Sequence, residues 1–290
     1  MDENAFAEHV GDVLIHCFTG KRKKNISGVP TGYRVLDRFI GGLRSGQLVV
    51  ISSCPAVGKS ALVTSLAANM AFGEVRVPIG FFPLETGGPS LVEHMIACKA
   101  DVPLVKLRNK ELNPEEYNRT MAEVTDMCSL VRNVIIRDSL RISFHTLCRE
   151  IREMVGNSGV KVVFINGVGL IRKVERRMPR SQWFAEVFRW LKLLARELGI
   201  TIICSCHLNI IGSTNRCPHI GDIEYSDMIM NYPDIVLLID NPAMRFAAEE
   251  VDPSVSDIRK VIVAKNNEGR TGGFLMRLNP ESGRFEEVGP

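Results

Sequence analysis

The segment Ser53-Cys54-Pro55-Ala56-Val57-Gly58-Lys59-Ser60 narrows the folds open to this chain more than any other stretch. It follows a continuous aliphatic run at residues 48–52 and opens a helical pattern over residues 60–72. A glycine-bearing loop between a buried strand and a helix turns backbone amides toward one point, and the free amides of the helix start add to them. That cradle suits a polyphosphate: Lys59 reaches the outer phosphates, and the Ser60 hydroxyl suits Mg²⁺. The expected nucleotide-binding set is Ser53, Cys54, Pro55, Ala56, Val57, Gly58, Lys59, Ser60 and Ala61, with Ser53 standing where a first glycine is usual.

The rest of the pattern agrees with such a setting. Apolar runs at residues 79–82, 134–137, 161–166, 201–206 and 235–240 alternate with helical spacing at 90–100, 144–155 and 183–198, and a β region closes the chain at 257–287. Strands without polar alternation, separated by helices, predict an α/β fold whose mainly parallel sheet is covered on both faces. A chain of 290 residues with 45% hydrophobic and 24% charged content can bury one large core. Phe6, Val10, Val13, Leu14 and Cys17 fall at helical spacing before the basic run Lys21, Arg22, Lys23 and Lys24, which predicts a linker helix and tether over residues 1–25. The helix has two readings, packed on its own domain or on a neighbouring subunit.

Several function classes are disfavoured. No run of about 18 apolar residues occurs and the first ten residues are acidic and polar, so a spanning or secreted chain is not expected and the expected location is the cytoplasm. The eight cysteines lack a repeated Cys-x-x-Cys spacing, which predicts buried thiols over a disulfide framework or zinc site. A net charge of +3 is too small to indicate a nucleic-acid partner, so any such contact has to come from local patches.

Further segments carry a resemblance. Gly28-Val29-Pro30-Thr31-Gly32, Leu36-Asp37 and Gly41-Gly42-Leu43 precede the phosphate loop in an order that resembles the RecA, KaiC and DnaB group. Phe82-Pro83-Leu84-Glu85, the helix segment Leu191-Lys192-Leu193-Leu194-Ala195-Arg196-Glu197-Leu198, and the hairpin Ala264-Lys265-Asn266-Asn267-Glu268-Gly269-Arg270-Thr271-Gly272 are similar to the DnaB-like helicases in particular. The resemblance implies a RecA-like motor domain over residues 26–290, ATP and Mg²⁺ as ligands, and a homo-oligomeric ring, by expectation a hexamer, acting on single-stranded DNA among other replication proteins. It makes Glu85 the base that polarises the attacking water. Independently, a carboxylate just past a strand beside the phosphate loop lies where such sheets bind ligands. A helix-capping or surface carboxylate is the other reading of Glu85. Too little chain precedes residue 26 for the N-terminal domain of full-length bacterial members, so contacts made through that domain, as with primase, are expected to be absent.

Four departures bear on mechanism. Asn166 replaces the aspartate expected to hold a Mg²⁺-bound water, and an amide offers a single uncharged acceptor. His207 stands where bacterial members carry glutamine and resembles the phosphate-sensing histidine of phage-type helicases; a local structural hydrogen bond is its other reading. Lys265 is kept from the family's finger, but Asn267 replaces the arginine; Arg270 is either a substitute or a solvent-facing turn residue. Glu224 occupies a place where an arginine would approach DNA, while Arg172, Lys173, Arg176, Arg177, Arg180 and Arg216 form basic loops that suit a phosphate backbone, a solvated surface or a protein interface. Three functions follow: a helicase motor, a degenerate paralogue that binds nucleotide for a structural or regulatory purpose, and a recombinase or clock-type ATPase of the wider group.

Overall fold

The computed structural model describes residues 28–139, 141–173, 178–209, 216–245 and 256–288. The expected linker helix, with Arg176 and Arg177, lies outside the described residues. In chain order the main elements are α1 (Arg34–Ile40), β1 (Leu48–Ser53), α2 (Lys59–Phe72), β2 (Ile79–Pro83), α3 (Gly88–Ala100), α4 (Leu104–Asn109) and α5 (Pro114–Ser129). They continue with β3 (Val134–Ile136), α6 (Phe144–Ser158), β4 (Val162–Asn166), α7 (Arg180–Leu198), β5 (Thr201–His207), α8 (Ser226–Ile229), β6 (Ile235–Asp240), β7 (Ile258–Asn266), β8 (Gly272–Leu278) and β9 (Phe285–Glu287).

The described strands form one sheet in the order β3-β2-β4-β5-β1-β6-β7-β8-β9. Pairing is parallel from β3 to β6 and antiparallel from β6 to β9. Successive residues of each parallel strand feed opposite cores. Val49 and Ile51 join Leu62, Leu66 and Met95 of α2 and α3, whereas Leu48 and Val50 join Leu147, Phe188 and Leu191 of α6 and α7. Both faces are covered, which is why β1, β2, β4 and β6 read as unbroken apolar runs. Phe81 and Phe164 stack across β2 and β4 with centroids 5.5 Å apart. Truncating Phe164 to alanine would cost about 3–5 kcal/mol by cavity formation.

Residues 101–133 fall outside the sequence-derived elements, yet they form α4 and α5. The signal for α5 was local: Asn113 accepts from the Glu116 backbone N–H, Glu116 accepts in return from Asn113 N–H, and Pro114 occupies the first turn. Arg180 begins α7 and so does not belong to a loop. Cys98, Cys204 and Cys206 are buried as expected, but Cys128 and Cys217 are exposed.

Candidate functional site

The carboxyl ends of β1, β2, β4 and β5 deliver the phosphate loop, Glu85, Asn166 and His207 to one edge of the sheet. Gly58 closes the loop with φ +115°, a conformation that disfavours side chains, and a Cβ there would lie 2.8 Å from Leu278. Lys59 and Ser60 then open α2. Pro55 and Ala56 are exposed, Cys54, Gly58, Ser60 and Ala61 half-buried, and Val57 buried. Ser53 is the last residue of β1; its side chain is fully buried and its hydroxyl donates to the adjacent Cys54 carbonyl.

Three side chains converge on Glu85. Lys59 Nζ lies 2.9 Å from Oε1, Ser60 Oγ donates to Oε2 at 3.3 Å, and His207 Nε2 is 3.3 Å from Oε1. Of the two readings of Glu85, capping fails: the first amide of α3, Gly88 N–H, is taken by Asp138 at 2.7 Å. Gly167 makes room for Glu85, since a Cβ at that φ of +98° would sit 2.6 Å from Glu85 Cγ. A buried lysine, a hydroxyl and a half-exposed imidazole around one carboxylate can exchange that carboxylate for phosphate oxygens without rebuilding the loop.

Ser60 and Glu85 have the hard oxygen donors that Mg²⁺ favours. Asn166 is buried, and one lone pair of its Oδ1 accepts from the Ser205 hydroxyl at 2.8 Å.

Two contributors escaped the sequence reading. Ser205 is brought to Asn166 only by the β4–β5 register. Arg259, buried on β7, donates to the Val57 carbonyl of the phosphate loop at 2.9 Å and to the carbonyls of Ser256 and Ile258. Burial draws its guanidinium below the usual arginine value. Its signal was periodic: Arg259 shares the buried phase of β7 with Val261 and Val263.

The finger residues are elsewhere. Antiparallel β7 carries Lys265 to the amino edge of the sheet, opposite the phosphate loop. Lys265 Nζ donates to the Met230 carbonyl at 2.8 Å, and burial holds its ammonium below the usual lysine range. Asn267 donates to Asp234, and Arg270 is exposed at the turn. In one chain, neither Lys265 nor Arg270 shares an edge with Lys59.

The basic set divides as well. Arg172 is exposed and Lys173 half-buried after β4. Arg180 lies over the Phe184 ring at 5.4 Å and 3.9 Å from Glu224, so the acid expected to repel a phosphate backbone has a basic neighbour. Arg216 is not a free cation: Asp222 takes both its terminal nitrogens, at 2.8 and 2.5 Å. The Arg216 partner holds the Asp222 carboxyl below the usual carboxylate range.

Comparisons with known proteins place this geometry. A family model described as the DnaB-like helicase C terminal domain matches residues 28–287. The replicative DNA helicase DnaB of Geobacillus stearothermophilus is 26% identical over 96% of this chain and 62% of its own length. The chain spans 57% to 62% of the first such relatives. Among solved structures, that of a separate ATPase domain superposes with a TM-score of 0.88 at 22% identity, covering 99% of this chain and all of that one. A KaiC-like protein of Pyrococcus horikoshii is more distant, with a TM-score of 0.60, 18% identity and 91% coverage of this chain. Both solved structures share the RecA-like fold. Because the family model runs through the phosphate loop, Glu85, His207 and the β7–β8 turn alike, the chain belongs to the DnaB-like helicase C-terminal domain family.

Proposed function

We propose that this chain binds ATP with Mg²⁺ at the carboxyl edge of its sheet and works as a helicase-type ATPase on single-stranded DNA. The observation that carries this reading is the convergence of Lys59, Ser60 and His207 on Glu85. Without nucleotide, Glu85 neutralises Lys59. A triphosphate takes over Lys59 and Ser60, which leaves Glu85 to orient the attacking water and His207 to respond to the terminal phosphate. Mg²⁺, when bound, neutralises phosphate charge, and Ser60 is the residue suited to hold it.

Assembly is part of the proposal. Lys265 and Arg270 lie at the amino edge, so they complete a site only on a neighbouring subunit, which favours a ring, by expectation a hexamer. Arg172 and Lys173, with Arg180 beside them, are the candidates for the DNA backbone; Arg216 is committed to Asp222. The cytoplasm is the proposed location. Among the described residues no helix is long and apolar enough to cross a membrane.

A second reading, a nucleotide-binding paralogue with little hydrolysis, is favoured by two captured amides: Asn166 by Ser205 and Asn267 by Asp234. Phosphate release measured with and without single-stranded DNA separates the two. DNA-stimulated turnover that Lys59→Ala abolishes supports the motor. ATP binding without turnover selects the paralogue. ATP affinity unchanged in Lys59→Ala removes both.

A further inference from the structure

The Asn166 amide has a fixed orientation. Ser205 is fully buried, and its Oγ accepts the Gly167 backbone N–H at 2.8 Å. Its own hydrogen therefore needs an acceptor, and Asn166 Oδ1, 2.8 Å away, provides it. Turning the amide over would set two donors against each other and strand a buried hydroxyl hydrogen. Held this way, Nδ2 has no hydrogen-bond partner among the described residues. Asn166 is 2% exposed, and the surface it retains lines a cavity of ≈ 180 Å³ shared with Ser60, Thr64, Thr86 and Ser282 at the start of α2.

We infer that Asn166 donates a hydrogen bond from Nδ2 to a terminal phosphate oxygen of a bound nucleoside triphosphate, and that the site consequently binds the triphosphate with little dependence on Mg²⁺. This rests on the nucleotide reading above and deepens it. The electrostatics are simple. A carboxylate at this position and a phosphate are both anions, so a cation has to lie between them for either to gain. An amide N–H₂ meets the phosphate directly and needs no bridge. The Ser205 hydroxyl is the positioning group, because it decides which end of the amide faces the cavity.

The test is calorimetric titration of the full chain with adenosine 5′-(β,γ-imido)triphosphate, once in excess Mg²⁺ and once in EDTA. For the unaltered protein the two Kd values should agree within about threefold. Asn166→Asp should enlarge the EDTA penalty by at least about tenfold, since it restores an acceptor that binds through metal and repels phosphate without it. Ser205→Ala frees the amide to present Oδ1 and should enlarge the penalty by about threefold, with Ser205→Thr keeping the original ratio. A penalty above about 30-fold in the unaltered protein overturns the inference, as does an identical ratio in Asn166→Asp. Lys59→Ala separates the two levels: loss of binding together with a large EDTA penalty in the unaltered protein sinks only the amide donor, whereas unchanged binding in Lys59→Ala sinks the nucleotide site itself.

Discussion

At the carboxyl edge of the sheet, Lys59, Ser60 and His207 all turn inward on one carboxylate, whereas at the amino edge the charged groups either satisfy themselves locally or project outward. There Lys192 pairs with Asp234 at 2.6 Å, Asp234 also accepts from Leu48 N–H and Asn267, and Arg270 is exposed. The carboxyl edge gathers a lysine, a hydroxyl and an imidazole around one carboxylate, the arrangement proposed above to receive a phosphate. The amino edge is anchored at its base, offers Arg270 at its tip, and has no glycine-bearing strand-to-helix loop among the described residues. Strand β7 joins the two. It begins with Arg259 beneath the phosphate loop and ends near Lys265, six residues and roughly 20 Å away. One strand thus links the loop proposed to hold a chain's own nucleotide to the hairpin proposed to serve a neighbour's.

The largest break in this comparison should come from the loop. Gly58→Val forces a β-branched side chain into φ +115° and against Leu278 and Phe285. Nucleotide affinity should fall by at least about 100-fold, or ~2.7 kcal/mol, and unfolding should become about 1–3 kcal/mol easier. Calorimetry and thermal denaturation measure the two effects separately. Affinity within threefold of the original would mean that the carboxyl edge does not depend on the loop conformation.

Next in size is the link between the edges. Arg259→Met keeps the bulk but removes the donor to Val57 and the positive charge below the cradle. ATP affinity should weaken by about tenfold, ~1.4 kcal/mol, with partial recovery in Arg259→Lys. Full affinity in a folded Arg259→Met protein would reduce β7 to scaffolding.

How much of this was legible in the sequence follows from the range of each interaction. The strand, loop and helix around Lys59 are contiguous, so their pattern is visible in about 25 residues. Glu85 was recoverable too, because a carboxylate after an apolar strand has few places to go in a parallel sheet. Ser205 was not: its meaning depends on the β4–β5 register, which places it against Asn166 across 39 residues of chain. Arg216 illustrates the converse. Its loop position suggested a free cation, but a carboxylate six residues away, Asp222, captures it. Arg259 and the Asn113 capping box were within local reach, one as a polar residue in the buried phase of a strand, the other as Asn-Pro-Glu-Glu before a helix.

The smallest expected effect concerns the amino edge and sharpens the comparison most. Asn267 is exposed and bonded to Asp234 through its backbone N–H at 3.0 Å and its side-chain amide at 3.3 Å. Asn267→Arg keeps the backbone bond and gives up only the longer one, so stability should change by no more than about 0.5 kcal/mol. The new guanidinium projects where no phosphate of its own chain can lie, because the loop is at the other edge. Any gain must therefore pass to a neighbouring subunit, whose terminal phosphate would acquire a mobile cation during transfer. Phosphate release should rise about threefold to tenfold at protein concentrations where sedimentation detects oligomers, and not at all where only monomer sediments. A rise of equal size in the monomer would place the hairpin within reach of its own loop, and the opposition between the two edges would fail. No rise in the assembled protein would mean that the hairpin does not meet a neighbour's nucleotide, and the ring arrangement would lose its chemical purpose.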